Sequence, residues 1–435
     1  MGAASANIPS ILVTSGPQLN GRWKTESLGA CTDCRRYEAE FKAGQISEQD
    51  WKEIQNSILR SPGHCMVMGT ASTMACLSEI LGMALPGNGT IPAVDSRRQQ
   101  LAEQSGFQIV KMISEKITPA KILTPKAFEN SIIGLHALGG STNAIIHLNA
   151  IAGRLSIDLP LNLFDKFSRS TPVITNLKPS GEFLMEDFHY AGGMQAVIKE
   201  INPLLHSKET GVSGLKISEL ASIARNDNKN VIKSLNNPIF PEGGLAVLHG
   251  SLAPEGAIIK HSAASPNLIN HTGRAIVFDN NDDLVKRIND DKLNIKPEDI
   301  LILKNSGPKG APGMPEWGFL PIPDKLLKAG TRDIVRISDA RMSGTAFGTV
   351  VVHTAPESAL ETSPLAAVKT GDLVKLDVAK RSLDLLVEPS EIINRLKSGK
   401  FRKVPNGSGY TELYKKHVLQ APQGCDFDFL RKTPL

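Results

Sequence analysis

Between Gly244 and Val387 the chain repeats one texture seven times. Gly244–Gly250, Ala257–Lys260, Arg274–Phe278, Ile300–Leu303, Ile334–Ile337, Leu373–Val378 and Leu383–Val387 are short apolar runs at fairly regular spacing. Runs of this length bounded by turn residues are strands. They predict a β-rich, barrel-like domain over 238–400 with a few helices, in which the last two runs form a hairpin and a helix follows from Pro389 to Leu396.

Upstream the texture differs. From Ile46 to Leu204, helical stretches alternate with short apolar runs and Gly-rich loops, which predicts an α/β layer domain with a parallel-type sheet over 1–207. Gln45–Arg60 places Trp51, Ile54 and Ile58 at helical spacing, and Ser72–Leu81 does the same with Met74, Leu77 and Leu81. Gln99–Ile117 and Asn143–Arg154 repeat the pattern. Ile8–Pro17 predicts a buried strand ending in a loop. Such a strand needs neighbours, so the first domain is expected to be incomplete. Lys208–Asn237, polar and rich in Ser, Asn and Lys, predicts a linker, and 401–435 a tail of mixed character.

The chain has 435 residues, 41% hydrophobic and 21% charged, which is globular composition and excludes a disordered, collagenous or coiled-coil chain. Five cysteines are too few and too uneven for a disulfide framework. A net charge of +5 is spread along the chain and aromatics are 5%, so nucleic acid is not an expected partner. No run approaches the ~18 apolar residues of a membrane span. The termini carry neither a signal peptide nor a lipidation box. A cytoplasmic location is expected, or a mitochondrial matrix one if the true N-terminus lies upstream.

Several segments can carry chemistry. Gly63-His64-Cys65-Met66 puts a thiol in a Gly-flanked loop just before a helix, where thiolate is favoured; a buried structural cysteine is the alternative. Cys31-Thr32-Asp33-Cys34 is a single C-x-x-C half-site with no second half, as compatible with chance as with zinc or redox chemistry. Gly139-Gly140-Ser141-Thr142-Asn143 runs into a helix and suits either a carboxylate ligand or a plain N-cap. Asn305–Glu316 packs three Gly and three Pro into a rigid loop that ends on a carboxylate. Ser338–Gly348 follows a strand and sets Ser343 beside Gly344, where backbone can approach a ligand closely, or where the chain simply turns.

Together these motifs, in this order, resemble the dihydroxy-acid and sugar-acid dehydratase family, from residue 8 to the end. Ile91–Arg98 and Val335–Thr345 resemble its sugar-acid (aldonate) branch more than its branched-chain amino-acid branch. The resemblance implies a hydro-lyase that converts a 2,3-dihydroxy carboxylic acid to a 2-keto-3-deoxy acid, working as a homo-oligomer on a small polyhydroxy acid. It implies an iron–sulfur cluster, [2Fe–2S] or [4Fe–4S], with Cys65 as one ligand, and Mg2+ with Glu316 as one ligand. Ser343 would be the base, with Thr345 beside it, and Ser141, Thr142 and Asn143 would bind substrate. The family's other cluster cysteines and its magnesium-site Asp and Lys lie in a stretch this chain does not contain. The chain is therefore expected to be N-terminally truncated relative to the family, with a catalytically inert relative acting as a binding or regulatory partner as the alternative. Cys31 and Cys34 match no family ligand, and Glu361-Thr362-Ser363-Pro364 stands where the family usually has a Gly-Gly-Pro turn.

Overall fold

The computed structural model describes residues 1–399 and 408–431. Part of the expected tail, 401–407 and 432–435, lies outside the described residues; the rest carries a helix at Tyr410–His417 and two short 3-10 turns.

The first half is built from helices. Pro125–Ala137 and Asn143–Gly153 are apolar on nearly every face and form its centre, with Phe128, Ile132, Leu135, Ala144 and Leu148 all buried. Thr70–Ile80, Leu161–Ser170 and Gly193–Ile201 pack against them, while Glu48–Ile58 packs on the helix Ala30–Lys42. The starts follow capping chemistry: Ser47, Asp95 and Thr124 accept backbone N–H groups of Asp50, Arg97 and Ala127, and Pro125 occupies a first-turn position.

The α/β class and the barrel-like second domain hold. The parallel sheet expected in the first domain is not there: among the described residues its named strands are β1 (Gly21–Trp23) and β2 (Glu26–Leu28), paired antiparallel. Ile8–Thr14 is not a strand either. Leu12 N–H donates to Met83 O and Thr14 N–H to the Asn88 side chain, while Ile8, Leu12 and Val13 stay exposed. Short apolar runs such as Val173–Leu177 make isolated bridges, to Phe240 and Ile232, because helix-on-helix packing already buries their side chains. Residues 208–237 carry the helix Ile217–Ile223 and bury Val231 and Ile232 in the core of this half.

The second half is one eight-stranded sheet: β3 (Ala246–Leu248), β4 (Gly256–Ile259), β5 (Asn270–Phe278), β6 (Ile300–Leu303), β7 (Val335–Ser338), β8 (Val350–Ala355), β9 (Leu373–Asp377) and β10 (Ser382–Leu385). Their order is β10-β9-β5-β6-β7-β8-β4-β3, with β5 to β8 parallel and the flanks antiparallel. The ends nearly meet: His249 bridges Ser382, and its N–H and C=O bond Arg381 O and Leu383 N. Side chains alternate with the pleat. Ala275, Val277, Ile300, Ile302, Ile337 and Val351 fill one core, whereas Ile276, Phe278, Leu301 and Leu303 pack under the helices Asn281–Arg287 and Asp324–Lys328. Val247, Ile258, Val350 and Val352 face the helical half and join its core. The expected hairpin is β9–β10, and the expected last helix is Pro389–Lys397.

Candidate functional site

In a parallel sheet, ligands gather beyond the carboxyl ends of the strands. The loop after β6 leads to Glu316 and the loop after β7 carries Ser343 and Thr345. The buried Asp339 carboxylate ties the two together: Oδ1 accepts Ser306 N–H at 2.9 Å, and Oδ2 accepts Ser358 N–H at 2.9 Å and Oγ–H at 2.7 Å. Arg341 Nε donates to Met314 O at 2.7 Å, a second link between the same loops. Asn305 and Met314 take left-handed conformations, φ 52° and 48°.

Two glycines let the halves touch. A Cβ on Gly344 would lie 2.6 Å from the Ser141 side chain and 2.9 Å from Thr70 N. One on Gly69 would lie 2.6 Å from Thr345 Cγ2. The resulting seam is polar. Thr70 Oγ1 and Ser141 Oγ are 2.9 Å apart, and Asn143 Nδ2 donates to Thr70 Oγ1 at 3.0 Å and to Glu316 Oε1 at 2.6 Å. Across from them Ser343 Oγ and Thr345 Oγ1 are 2.8 Å apart, Arg35 Nη1 donates to Thr345 Oγ1 at 3.1 Å, and Thr32 Oγ1 donates to Thr345 O at 2.8 Å.

Ser141, Thr142 and Asn143 are fully buried. Thr142 has helical dihedrals and makes no side-chain cap; the cap-type bond of this turn comes from Ser141. Its N–H groups are partly used: Ser141 N bonds Thr73 Oγ1 and Asn143 N bonds Ser141 Oγ. Thr142 Oγ1 and Asn143 Oδ1 are buried without a partner among the described residues.

Cys65 departs from expectation. Its helix begins only at Thr70, and its thiol is pushed up, first by its hydrogen bond to the Cys31 thiol and then by burial. The helix end that meets it is that of Ala30–Lys42: the Cys65 sulfur accepts the backbone N–H groups of Cys31 and Val67. Cys31 is the lower member of the pair, its thiol drawn down by Cys65 and further by Arg35 and Thr345. Cys31 thus stands in the site with Cys65 and Thr345, while Cys34 and Cys65 both pack against the apolar cluster of Leu28, Tyr37 and Ile54. Arg35 is the neighbour that no sequence motif marks, and Cys31 is marked only through its C-x-x-C with Cys34.

These donors do not complete the implied cofactor sites. Cluster binding calls for several thiolates, and Cys31 and Cys65 offer two. Glu316 is one carboxylate, with an oxygen already taken by an amide N–H. Among the described residues no three His, Cys, Asp or Glu side chains converge as a metal site would require.

A helical half and a near-closed barrel that meet on hydroxyls, thiols and one carboxylate are of the dehydratase class, as comparison with known proteins shows. The chain belongs to the dihydroxy-acid/6-phosphogluconate dehydratase family, whose N-terminal model matches residues 1–220 and C-terminal model residues 230–425. It is 48% identical over 433 residues to the L-arabinonate dehydratase of Rhizobium leguminosarum, a match covering 99% of this chain and 75% of the relative. It is 44% identical over 434 residues to the 6-deoxy-6-sulfo-D-gluconate dehydratase of Pseudomonas putida, covering 99% and 75%. To the dihydroxy-acid dehydratase of Thermodesulfovibrio yellowstonii it is 40% identical over 426 residues, covering 98% and 76%. The expected N-terminal truncation is not shown by these matches: the N-terminal model matches residues 1–220 of this chain, and 75–76% of the length of these relatives is covered. Among the described residues no helix is long and apolar enough to cross a membrane.

Proposed function

We propose that the chain is a hydro-lyase that dehydrates a sugar acid of the 2,3-dihydroxy type to a 2-keto-3-deoxy acid, with Ser343 as the group that takes the C2 proton. The observation that carries this reading is the relay from Arg35 through Thr345 to Ser343. Thr345 Oγ1 accepts the guanidinium N–H, so its single hydroxyl proton is free to point at an acceptor. Ser343 Oγ and the Cys31 sulfur are both within its reach. Donated to Ser343 as a hydrogen bond, that O–H and the positive charge behind it stabilise a serine alkoxide, the form able to act as base. Ser141, Thr142 and Asn143 are proposed to orient the substrate from the opposite wall, and the unpartnered Thr142 Oγ1 and Asn143 Oδ1 support this. Cys65 and Glu316 are proposed as the contacts to an iron–sulfur cluster and Mg2+, whose remaining ligands these residues do not supply.

The sugar-acid preference rests on the greater similarity to relatives named for aldonates, 48% and 44%, than to one named for a dihydroxy acid, 40%. The test is turnover of a panel of aldonates and a branched-chain dihydroxy acid, read as 2-keto acid formed. Turnover of an aldonate is expected; a preference for the branched-chain acid would overturn the substrate reading, and no turnover of either the reaction.

A further inference from the structure

The helix Ala30–Lys42 does not lie flush against the barrel half. A cleft of about 500 Å3 stays open between them, the size of a small-molecule site. We propose that this cleft binds an aromatic monocarboxylate.

One wall is a single face of the helix, running from Thr32 through Arg35, Arg36 and Ala39 to Lys42. The other is apolar: Phe319, Ile322 and Phe347 come from the loops after β6 and β7, and Leu327 from the helix Asp324–Lys328. The walls are tied at two separate places. Arg35 Nη1 donates to Thr345 Oγ1 at 3.1 Å, and Arg332 Nη2 donates to Gln45 Oε1, just past the end of the helix, at 2.9 Å. The cleft backs onto the candidate site through Thr32 and Arg35, but Ser343 and Glu316 do not line it.

The rings set the body of the ligand. Phe319 and Phe347 are half-buried, with centroids 6.0 Å apart and planes tilted by 60°. The Arg35 guanidinium lies 4.8 Å from the Phe319 centroid and that of Arg336 4.6 Å. A flat apolar body can rest on these rings with a cation at its edge.

Charge sets the head group. Arg36, Lys42 and Arg336 are paired with Glu26, Glu38 and Asp333. Among the described residues Arg35 and Arg332 make no ion pair, and Glu40 is the one unpaired carboxylate on the lining, so a single positive charge is left uncompensated. A monoanion matches it, whereas a dianion would meet Glu40. Arg35 spends one N–H on Thr345, and its Nε and Nη2 have no hydrogen-bond partner among the described residues. Such a guanidinium edge takes a carboxylate through two parallel bonds. Arg336, 1% exposed, adds a second cation to the lining with its Nε unpartnered among the described residues.

The inference does not rest on the proposed reaction, and its test reads binding rather than turnover. The full chain is titrated calorimetrically with 2-naphthoate and with the uncharged 2-naphthamide. Saturation at one 2-naphthoate per chain is expected, with the amide bound about 10-fold more weakly, the value of a charge-assisted hydrogen bond. Arg35→Gln is expected to erase that preference and Arg332→Gln to keep it. Ala39→Trp fills the cleft from a half-buried helix position and is expected to abolish binding while circular dichroism shows the chain folded. No saturable binding, equal binding of acid and amide, a preference unchanged in folded Arg35→Gln, or unchanged 2-naphthoate binding by folded Ala39→Trp would overturn the proposal.

Discussion

Asn143 Nδ2 donates to Glu316 Oε1 over 2.6 Å, from a fully buried amide at a helix start in the first half to an exposed carboxylate on the Pro/Gly loop of the second. The bond joins the two halves at the site itself. A hydrogen bond to a charged group is worth about 1.5–3 kcal/mol. Asn143→Ala is therefore expected to lower stability in urea unfolding by about that amount, and Asn143→Asp by more, because it sets two carboxylates against each other. A change within experimental error for Asn143→Asp would show that the bond is not maintained in solution.

Gly344→Ala should force the halves apart. The added Cβ meets the Ser141 side chain at 2.6 Å and Thr70 backbone at 2.9 Å, and overpacking of this kind costs about 1–3 kcal/mol. Ser141→Gly removes the first of these contacts, so the double variant should recover part of the loss. A double-mutant cycle checks this; strict additivity would mean that Ser141 does not limit the approach.

Ser343→Ala should abolish 2-keto acid formation, by roughly 100-fold or more if the serine is a general base. Far-ultraviolet circular dichroism and melting should be unchanged, because Ser343 is only half-buried. Thr345→Val should also slow turnover, since it cuts the link to Arg35 while keeping the shape of the side chain. If Ser343→Ala keeps full activity, the base lies elsewhere.

Lys260 gives a pH-dependent test remote from any motif. It follows β4, is 2% exposed, and its Nζ has no hydrogen-bond partner among the described residues; desolvation draws it down to about 7 from 10.5. Between those values the unfolded chain holds a proton that the folded chain has shed. Stability should therefore rise with pH from about 7 to about 10.5, and the full penalty is felt below 7. Lys260→Met should flatten that rise and stabilise the protein at pH 6 by several kcal/mol, on the order of 5 at most. Parallel urea titrations at pH 6 and 9 measure both.

The barrel was legible because its strands carry their own evidence: Ile300 and Ile302 point one way, Leu301 and Leu303 the other, and turns bracket each run. The first half misled for a matching reason. Ile8–Thr14 has the composition of a strand, but composition does not supply a neighbour, and its backbone bonds a loop instead. Among site residues, Ser343 and Glu316 lie on loops whose Gly and Pro content marks them as constrained. Cys31 was hidden. Its place in the site depends on Thr345, a neighbour it gains only when the two halves of the chain close, and the nearby Cys34 drew attention to a local pairing that the helix does not make.

The bridge between His249 and Ser382 has a consequence for how copies of this chain can meet. A sheet with open ends displays a row of free N–H and C=O groups on which another strand can grow. Here the first and last strands spend part of that row on each other, through His249 with Arg381 and Leu383. Strand-on-strand growth is blunted at that seam, so association of folded copies should rely on side-chain surfaces, and linear β-polymerisation should require the seam to open first.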